Sequence, residues 1–449
     1  MDLKTETKRK YGLFTSIAMI VGIVIGSGIF FKSDNILVAT GGDVGLGVLV
    51  FCLAALAIVF GSLTLSELAS RTEKPGGIIA YANEFSGEKM ACSFGWFQTF
   101  IYYPTLVAIV GWVVGIYINI YFGRENTLES QVLIGYAFII ICYAYNILSP
   151  RFGGFFQNAA MVIKLIPLIM IAIAGLIFGN PQASFEGTAA LGSGGGGFLW
   201  LAALGPIAFS FDGWIISTSI SHEIKNAKRN LPLALIAAPL AILVLYVLYF
   251  VGITSFVGPK EIIAIGDSHV DIAAQAIFGG FGAKLMLIFI IISVMGTVNG
   301  VILGSIRLPY SLALRKMLPG SEKLAKIESR LDVPVNSGLF SFAIASFWLL
   351  AHYLTQKYNL LPNSDISEIA IAMSYLLYIL LYFKVYGLYK AGELKSRVRG
   401  IVFPLLVSLG SLIILTGSMQ NKLFPLYAGI CLAVIGLSLL FWKNKVSKA

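Results

Sequence analysis

The sequence predicts an all-α integral membrane fold of twelve transmembrane helices, in which a five-span unit is repeated in inverted orientation and two further spans follow. Three observations lead there. Of 449 residues, 57% are hydrophobic and only 12% charged, and the mean hydropathy of +0.85 lies far above that of an ordinary soluble domain. Runs of about 20 apolar residues, each long enough to cross about 30 Å of hydrocarbon, recur from Tyr11 to Trp442. The first and sixth of these runs are interrupted at their centres, five spans apart. An odd number of spans inverts the topology on repetition, and membrane folds built this way carry their ligand sites at such paired breaks.

In order, the spans fall at 12–38, 44–70, 92–122, 130–149, 152–178, 198–222, 232–257, 282–314, 335–355, 365–387, 399–417 and 423–442. Residues 1–11 are then an N-terminal segment, 12–178 the first repeat, 198–387 the second, 399–442 the two extra helices and 443–449 a tail. No cleavable signal region is expected ahead of the first span. With the N-terminus in the cytoplasm, 24 of the 32 Lys and Arg residues fall in cytoplasmic segments and five in outer ones, which predicts cytoplasmic termini and a plasma-membrane protein. Lys32, Lys164 and Arg307 remain inside spans, and only Lys164 sits at a span's centre.

The net charge of +10 and pI near 9.3 do not indicate nucleic acid, because the basic residues lie scattered between spans. Cys52, Cys92, Cys142 and Cys431 fall in or beside apolar runs and read as small buried hydrophobes, with no disulfide or metal spacing; no metal and no cofactor is expected. Among the loops, 71–81 breaks at Pro75-Gly76-Gly77 and resumes as a re-entrant or surface helix. Residues 192–197, G-S-G-G-G-G, form a flexible connector, and 266–279 carries a weak pattern for a short helix over the vestibule.

The break in span 1 is V-I-G-S-G-I-F at 24–30. In hydrocarbon every backbone polar group must be satisfied internally, so an interruption belongs where it is buried in protein or lines a watery cavity. Gly22, Gly26 and Gly28 are equally compatible with simple close helix packing. The serine between glycines adds something: consecutive free N–H groups of Ser27, Gly28 and Ile29 at the start of a half-helix, which suit a carboxylate. Span 6 supplies the complement. If it unwinds between Phe209 and Gly213, carbonyls near Phe209, Ser210 and Asp212 face the same cavity and suit an ammonium group. Donors from one break and acceptors from the other, including Val24 at the end of the first half-helix, recognise a zwitterion, which predicts an amino acid as ligand.

Lys164 is costly at mid-membrane and must find partners. It reads as a structural lysine on helix carbonyls, as a fixed charge, or as a proton carrier. Asp212 is best placed as a cap on the second half of span 6, with Lys164 or water as alternative partners. Tyr246 can reach the broken helix, although a core or interfacial tyrosine is the ordinary role. Glu67 and Glu223 close spans 2 and 6 beside Arg71, Lys225, Lys228 and Arg229. Asn299, Gly300 and Arg307 in span 8 and the aromatics of span 6 read as core, with Phe209 also positioned to shut the site from one side.

These residues resemble the amino acid-polyamine-organocation superfamily, specifically its L-type amino acid transporter branch. The likeness is carried by I-G-S-G-I-F at 25–30, E-L-A-S-R-T-E-K-P-G-G at 67–77, K-L-I-P at 164–167, F-D-G-W at 211–214, N-G at 299–300 and R-K-M-L-P at 315–319. The resemblance implies a LeuT-like fold and sodium-independent exchange of small neutral L-amino acids such as alanine, serine and cysteine. It implies that the substrate carboxylate meets N–H groups around Ser27 and Gly28 and the ammonium meets carbonyls of Val24, Phe209 and Asp212. Lys164 then stands where sodium-coupled relatives hold sodium, and Phe209 matches a gating aromatic. Two departures bear on this. E-I-K-N-A at 223–227 lacks the proline of the family pattern, so that turn is expected to be looser. Residues 123–129 lack the cysteine that links some animal members to a glycoprotein subunit, so no disulfide-linked partner is expected.

Three functional classes remain in contention. Alternating access would rock the two broken helices against spans 3–4 and 8–9 to exchange amino acids. A proton-coupled symporter would use Lys164 as the titrating group. A membrane enzyme would need a polar catalytic cluster, whereas His222, His269 and His352 are scattered and neither H-E-x-x-H nor G-x-S-x-G occurs.

Overall fold

The first apolar run does not form one helix. In the computed structural model, which describes residues 12–26, 28–72, 77–189, 198–215, 224–328 and 333–446, it folds as α1 (Leu13–Val24), α2 (Gly28–Phe31) and α3 (Ser33–Ala39). Next comes α4 (Val44–Ala69), capped by the Asp43 carboxylate, which accepts the Leu46 N–H at 2.9 Å. After α5 (Gly77–Ser86), α6 (Glu88–Phe97) runs through a π-helical turn at Gln98–Tyr102 into α7 (Tyr103–Tyr121). The chain continues as α8 (Leu128–Leu148), α9 (Pro150–Ile163), α10 (Leu165–Phe178) and a short α11 (Pro181–Ala189). The sixth run starts as a 3-10 turn at Leu199–Ala203 and ends as α12 (Leu204–Ser210). It is followed by α13 (Ala227–Val257), α14 (Pro259–Ile265), α15 (His269–Leu314), α16 (Ser321–Leu324), α17 (Val335–Lys357), α18 (Ile366–Lys390), α19 (Phe403–Ser418) and α20 (Phe424–Val446).

Among the described residues, ten helical stretches are long and apolar enough to cross a membrane, and the two shorter apolar helices are the interrupted first and sixth runs. The only β contact among them is an isolated bridge between Glu328 and Val333. The protein is therefore an all-helical, multi-pass membrane protein with broken helices 1 and 6. Residues 77–82 of α5 are buried, so this helix inserts against α6 and α18 and does not lie on the surface. The expected vestibule helix is present as a turn at Gly266–Ser268 and the first part of α15, which bends at Gly279, where φ is +69°. The expected break at Pro75-Gly76 and the 192–197 connector lie outside the described residues.

Small residues set the scaffold's closest approaches. A methyl group added to Gly115 of α7 would come within 1.9 Å of the Gln131 carbonyl oxygen on α8, and one added to Gly175 of α10 within 2.3 Å of the Gly252 carbonyl oxygen on α13. Prolines inside spans are healed from neighbouring helices. Pro104 cannot donate to the Phe100 carbonyl, and the Trp348 indole N–H takes that carbonyl at 2.6 Å. Pro309 leaves the Ser305 carbonyl free, and Ser341 donates to it at 2.7 Å, while Ser337 inserts its hydroxyl between Ile306 O and the Tyr310 N–H. With no water in hydrocarbon, such side-chain repairs are what allow these kinks.

Candidate functional site

Helix α1 stops because Ile25 turns extended, with ψ 111°, after its N–H has reached Val21 O at 2.9 Å. That leaves the carbonyls of the last turn without intrahelical donors. Lys164 Nζ takes one of them, Gly22 O. Lys164 can do so because it sits at a discontinuity of its own, between α9 and α10. Three residues on, Pro167 has no N–H for the Ile163 carbonyl, which weakens the helix at that point. The lysine is 5% exposed and has no carboxylate within ion-pair distance among the described residues.

Helix α12 stops at Ser210. The Phe211 N–H bonds Ile207 O and the Asp212 N–H bonds Phe209 O, a tightening last turn after which Gly213 takes φ +94°. The freed Ser210 carbonyl accepts the Tyr246 hydroxyl at 2.9 Å, and the Gly26 N–H lies beside that same hydroxyl. One buried tyrosine on α13 thus ties the two breaks together. They meet most closely at Gly28, where an added methyl would lie 2.8 Å from Ser210 Cα. Only glycine allows that approach.

Between the breaks lies a cavity of about 270 Å³. Val24, Gly26 and Gly28 line it from the first run and Phe209, Ser210, Asp212 and Gly213 from the sixth, with Lys164 at one side. Ser27 lies outside the described residues. Ile29, expected here for its N–H group, turns its side chain into the core, where it is fully buried, because one residue along a helix rotates the side chain by about 100°. Its carbonyl receives the Ser33 hydroxyl at 3.0 Å. The Asp212 carboxylate meets the Tyr102 hydroxyl, 2.6 and 2.7 Å from its two oxygens, and among the described residues it does not pair with Lys164; the second half of span 6, which it was expected to cap, lies outside the described residues.

Phe209, which lines the cavity, packs edge-on against Phe31, with centroids 5.4 Å apart. Beyond these rings stands Lys32, with Nζ 5.2 Å from the Phe31 centroid and 5.4 Å from that of Phe209. Glu67 bonds Arg71 at 2.8 Å and reaches Arg399 at 3.4 Å, so it anchors the end of α4 to the segment before α19. Its expected counterpart, Glu223, lies outside the described residues. Asn299 is a polar hub rather than plain core: it accepts from Tyr145 and Asn146 and donates to Gly153 O and Gln157.

Sequence reasoning missed the wall opposite the breaks. Tyr102 comes from the π-helical turn, Tyr103, Leu106 and Val110 from α7, Gln157 from α9, and Thr297, Gly300, Val301 and Leu303 from α15. Two signals were available. The Y-Y-P at 102–104 predicts a helical irregularity, which appears as the π-helical turn, a feature that often marks functional sites. Gly300 needs its missing side chain, since an added methyl would meet Gln157 Nε2 at 3.0 Å.

Two half-helices broken at mid-membrane around a small cavity, braced by a lysine, define a membrane transporter and not an enzyme. The chain belongs to the amino acid permease family of the amino acid-polyamine-organocation superfamily: the family model described as amino acid permease matches residues 11–448. It is 28% identical over 443 residues to the serine/threonine exchanger SteT of Bacillus subtilis, covering 98% of this chain and 97% of that one. It is 26% identical to the human b(0,+)-type amino acid transporter 1 over 99% of this chain and 91% of the relative. With the human cystine/glutamate transporter it shares 24% identity over 98% and 87%. Amino acid transport or exchange is the activity common to these relatives, and it is the function of this family member.

Proposed function

We propose that this protein exchanges small neutral L-amino acids, such as alanine, serine and cysteine, across the plasma membrane without sodium, by alternating access and with both termini in the cytoplasm. One observation carries the reading: the two helix breaks face each other across one small cavity, with a lysine already holding a carbonyl freed by unwinding. The N–H groups entering α2 suit a carboxylate, and the carbonyls leaving α1 and α12 suit an ammonium. At about 270 Å³ the cavity lies below the roughly 300 Å³ at which pockets for drug-sized ligands begin, which favours small substrates. Lys164 places a fixed positive charge beside the break, which makes a sodium ion there redundant. Phe209 and Phe31 act as the barrier on the α2 side, and Tyr246 as the tie that moves the two breaks together. No disulfide-linked subunit takes part.

The reading is tested by counterflow in liposomes. Labelled alanine or serine should enter only vesicles preloaded with amino acid, at a rate indifferent to sodium. Uptake into empty vesicles under a proton gradient would instead support proton-coupled symport through Lys164, a second reading favoured by the absence of any carboxylate beside this lysine among the described residues.

A further inference from the structure

On the far side of Phe31 and Phe209 lies a buried ionic cluster that the cavity does not use. Lys32 Nζ donates to Asp365 Oδ2 at 2.7 Å and also to Glu368 Oε1. Lys32 and Asp365 are 2% exposed and Glu368 5%. Two carboxylates thus share one ammonium, and a full negative charge is left out of water. Burial without a partner is costly for a charge, and two carboxylates sharing one site do not both ionise readily.

The two acids are not equally supplied. Asp365 also accepts the Ser367 N–H at 2.8 Å and the Ser367 hydroxyl at 2.5 Å. Among the described residues Glu368 has, besides Lys32, only the Ser364 hydroxyl at 2.7 Å. Glu368 moreover lines a second cavity of about 280 Å³, together with Asn35, Asn363 and Lys422. Ser418 Oγ is buried against that cavity with no hydrogen-bond partner. This second cavity, mostly apolar in its lining, therefore reaches the less supplied carboxylate.

The surrounding charges do not cancel the deficit. Asp34 faces the cluster from α3, Asp267 and His269 from the turn and helix start at α15, His352 from α17, and Lys422 from the loop after α19. Helix α12 brings only Gly205, whose added methyl would lie 2.9 Å from Glu368 Oε2. Four carboxylates therefore stand near two lysines, and one of those lysines sits in the loop. No group of three or more His, Cys, Asp or Glu side chains able to hold a metal occurs among the described residues.

We infer that Glu368, held by Lys32 beside Asp365, is a proton-binding site separate from the substrate cavity, and that its protonation favours the state in which α2 is closed against α18. The sign follows from linkage. In the closed state Glu368 is out of water and shares the Lys32 ammonium with Asp365, the better supplied of the two acids, so burial and the neighbouring carboxylate outweigh the lysine; when α2 withdraws, water solvates the ionised form and the proton leaves. The proton therefore binds the closed state more tightly, and acid on that face shifts the population towards closure. The transport consequence rests on the exchange reading and on the outer placement of residues 358–365; the proton site itself does not.

Two measurements on the full-length protein in liposomes separate these. Difference infrared spectroscopy across a pH titration should show a protonated-carboxyl band that Glu368→Gln removes and Asp212→Asn keeps. Ser364→Ala, which removes a donor from the ionised form, should move the band's titration to higher pH, and it serves if Glu368→Gln does not fold. Exchange measured against external pH at fixed internal pH should slow on acidification, by up to about tenfold per pH unit for one proton, and Glu368→Gln should flatten that dependence. A band unaffected by Glu368→Gln and unmoved in Ser364→Ala, or an unchanged pH profile in a variant that still exchanges, would overturn the inference. A vanished band in Glu368→Gln with no exchange in the unsubstituted protein would support the proton site while counting against the transport reading.

Discussion

Lys164 and Lys32 are both buried in helical breaks of the membrane domain, yet they are held in opposite ways. Lys164 donates to the main-chain carbonyl of Gly22 and has no carboxylate beside it among the described residues. Lys32 is clamped by Asp365 and Glu368. A lysine on a carbonyl adds a net positive charge where a zwitterion is to be received; a lysine between two acids locks α2 onto α18. The first arrangement suits a site and the second a closure. The Phe31 and Phe209 rings, with Lys32 stacked above them, form the partition between the two.

The largest effect that could break this comparison is on stability. Lys32→Met should cost about 3–5 kcal/mol, because it takes the cation from the buried Asp365 carboxylate and from the Glu368 carboxyl beside it, and thermal denaturation in detergent measures it. Replacing Lys32, Asp365 and Glu368 together by apolar residues of similar volume should recover most of the loss. If Lys32→Met is as stable as the unsubstituted protein, the clamp is not closed in solution. Lys164→Ala should fold, since it strands one carbonyl only, but slow exchange of labelled alanine or serine roughly 10- to 100-fold, the worth of one charge-assisted hydrogen bond of about 1.5–3 kcal/mol. Unaltered exchange would remove Lys164 from the mechanism.

Smaller effects test the contact between the breaks. Gly28→Ala forces a methyl to within 2.8 Å of Ser210 Cα and should destabilise the protein by about 1–3 kcal/mol. Gly154→Ala, on α9 with nothing within 4 Å, is the neutral control in the same denaturation assay. Tyr246→Phe removes the hydroxyl that donates to the Ser210 carbonyl beside Gly26 and should cost about 1 kcal/mol. If that hydroxyl couples the breaks, the exchange rate falls while the apparent affinity for substrate stays near its unsubstituted value.

Much of the site was legible because its builders are short-range features. G-S-G in a hydrophobic run, F-D-G-W in another and a lysine ahead of a proline each violate local membrane-helix chemistry, and each proves to mark a real helix end. A motif records that Ile29 offers an N–H but not that its side chain goes into the core. It also does not show that the Asp212 carboxylate meets the Tyr102 hydroxyl, 110 residues away. Lys32 was passed over as a residue near a span's end, although two acids 333 and 336 residues distant complete it.

Hydropathy, span length and breaks were determined by the sequence alone, since the transfer of a segment from water to hydrocarbon depends on that segment's own side chains. Twelve spans, broken helices 1 and 6 and a site at their breaks follow from that partition. Only the tertiary structure decided which side chain answers each orphaned polar group: Tyr246 for Ser210, Trp348 for Phe100, Tyr102 for Asp212, and Asp365 with Glu368 for Lys32. In hydrocarbon an unmatched polar atom has no water to fall back on, and helix packing alone brings the matching partner within reach.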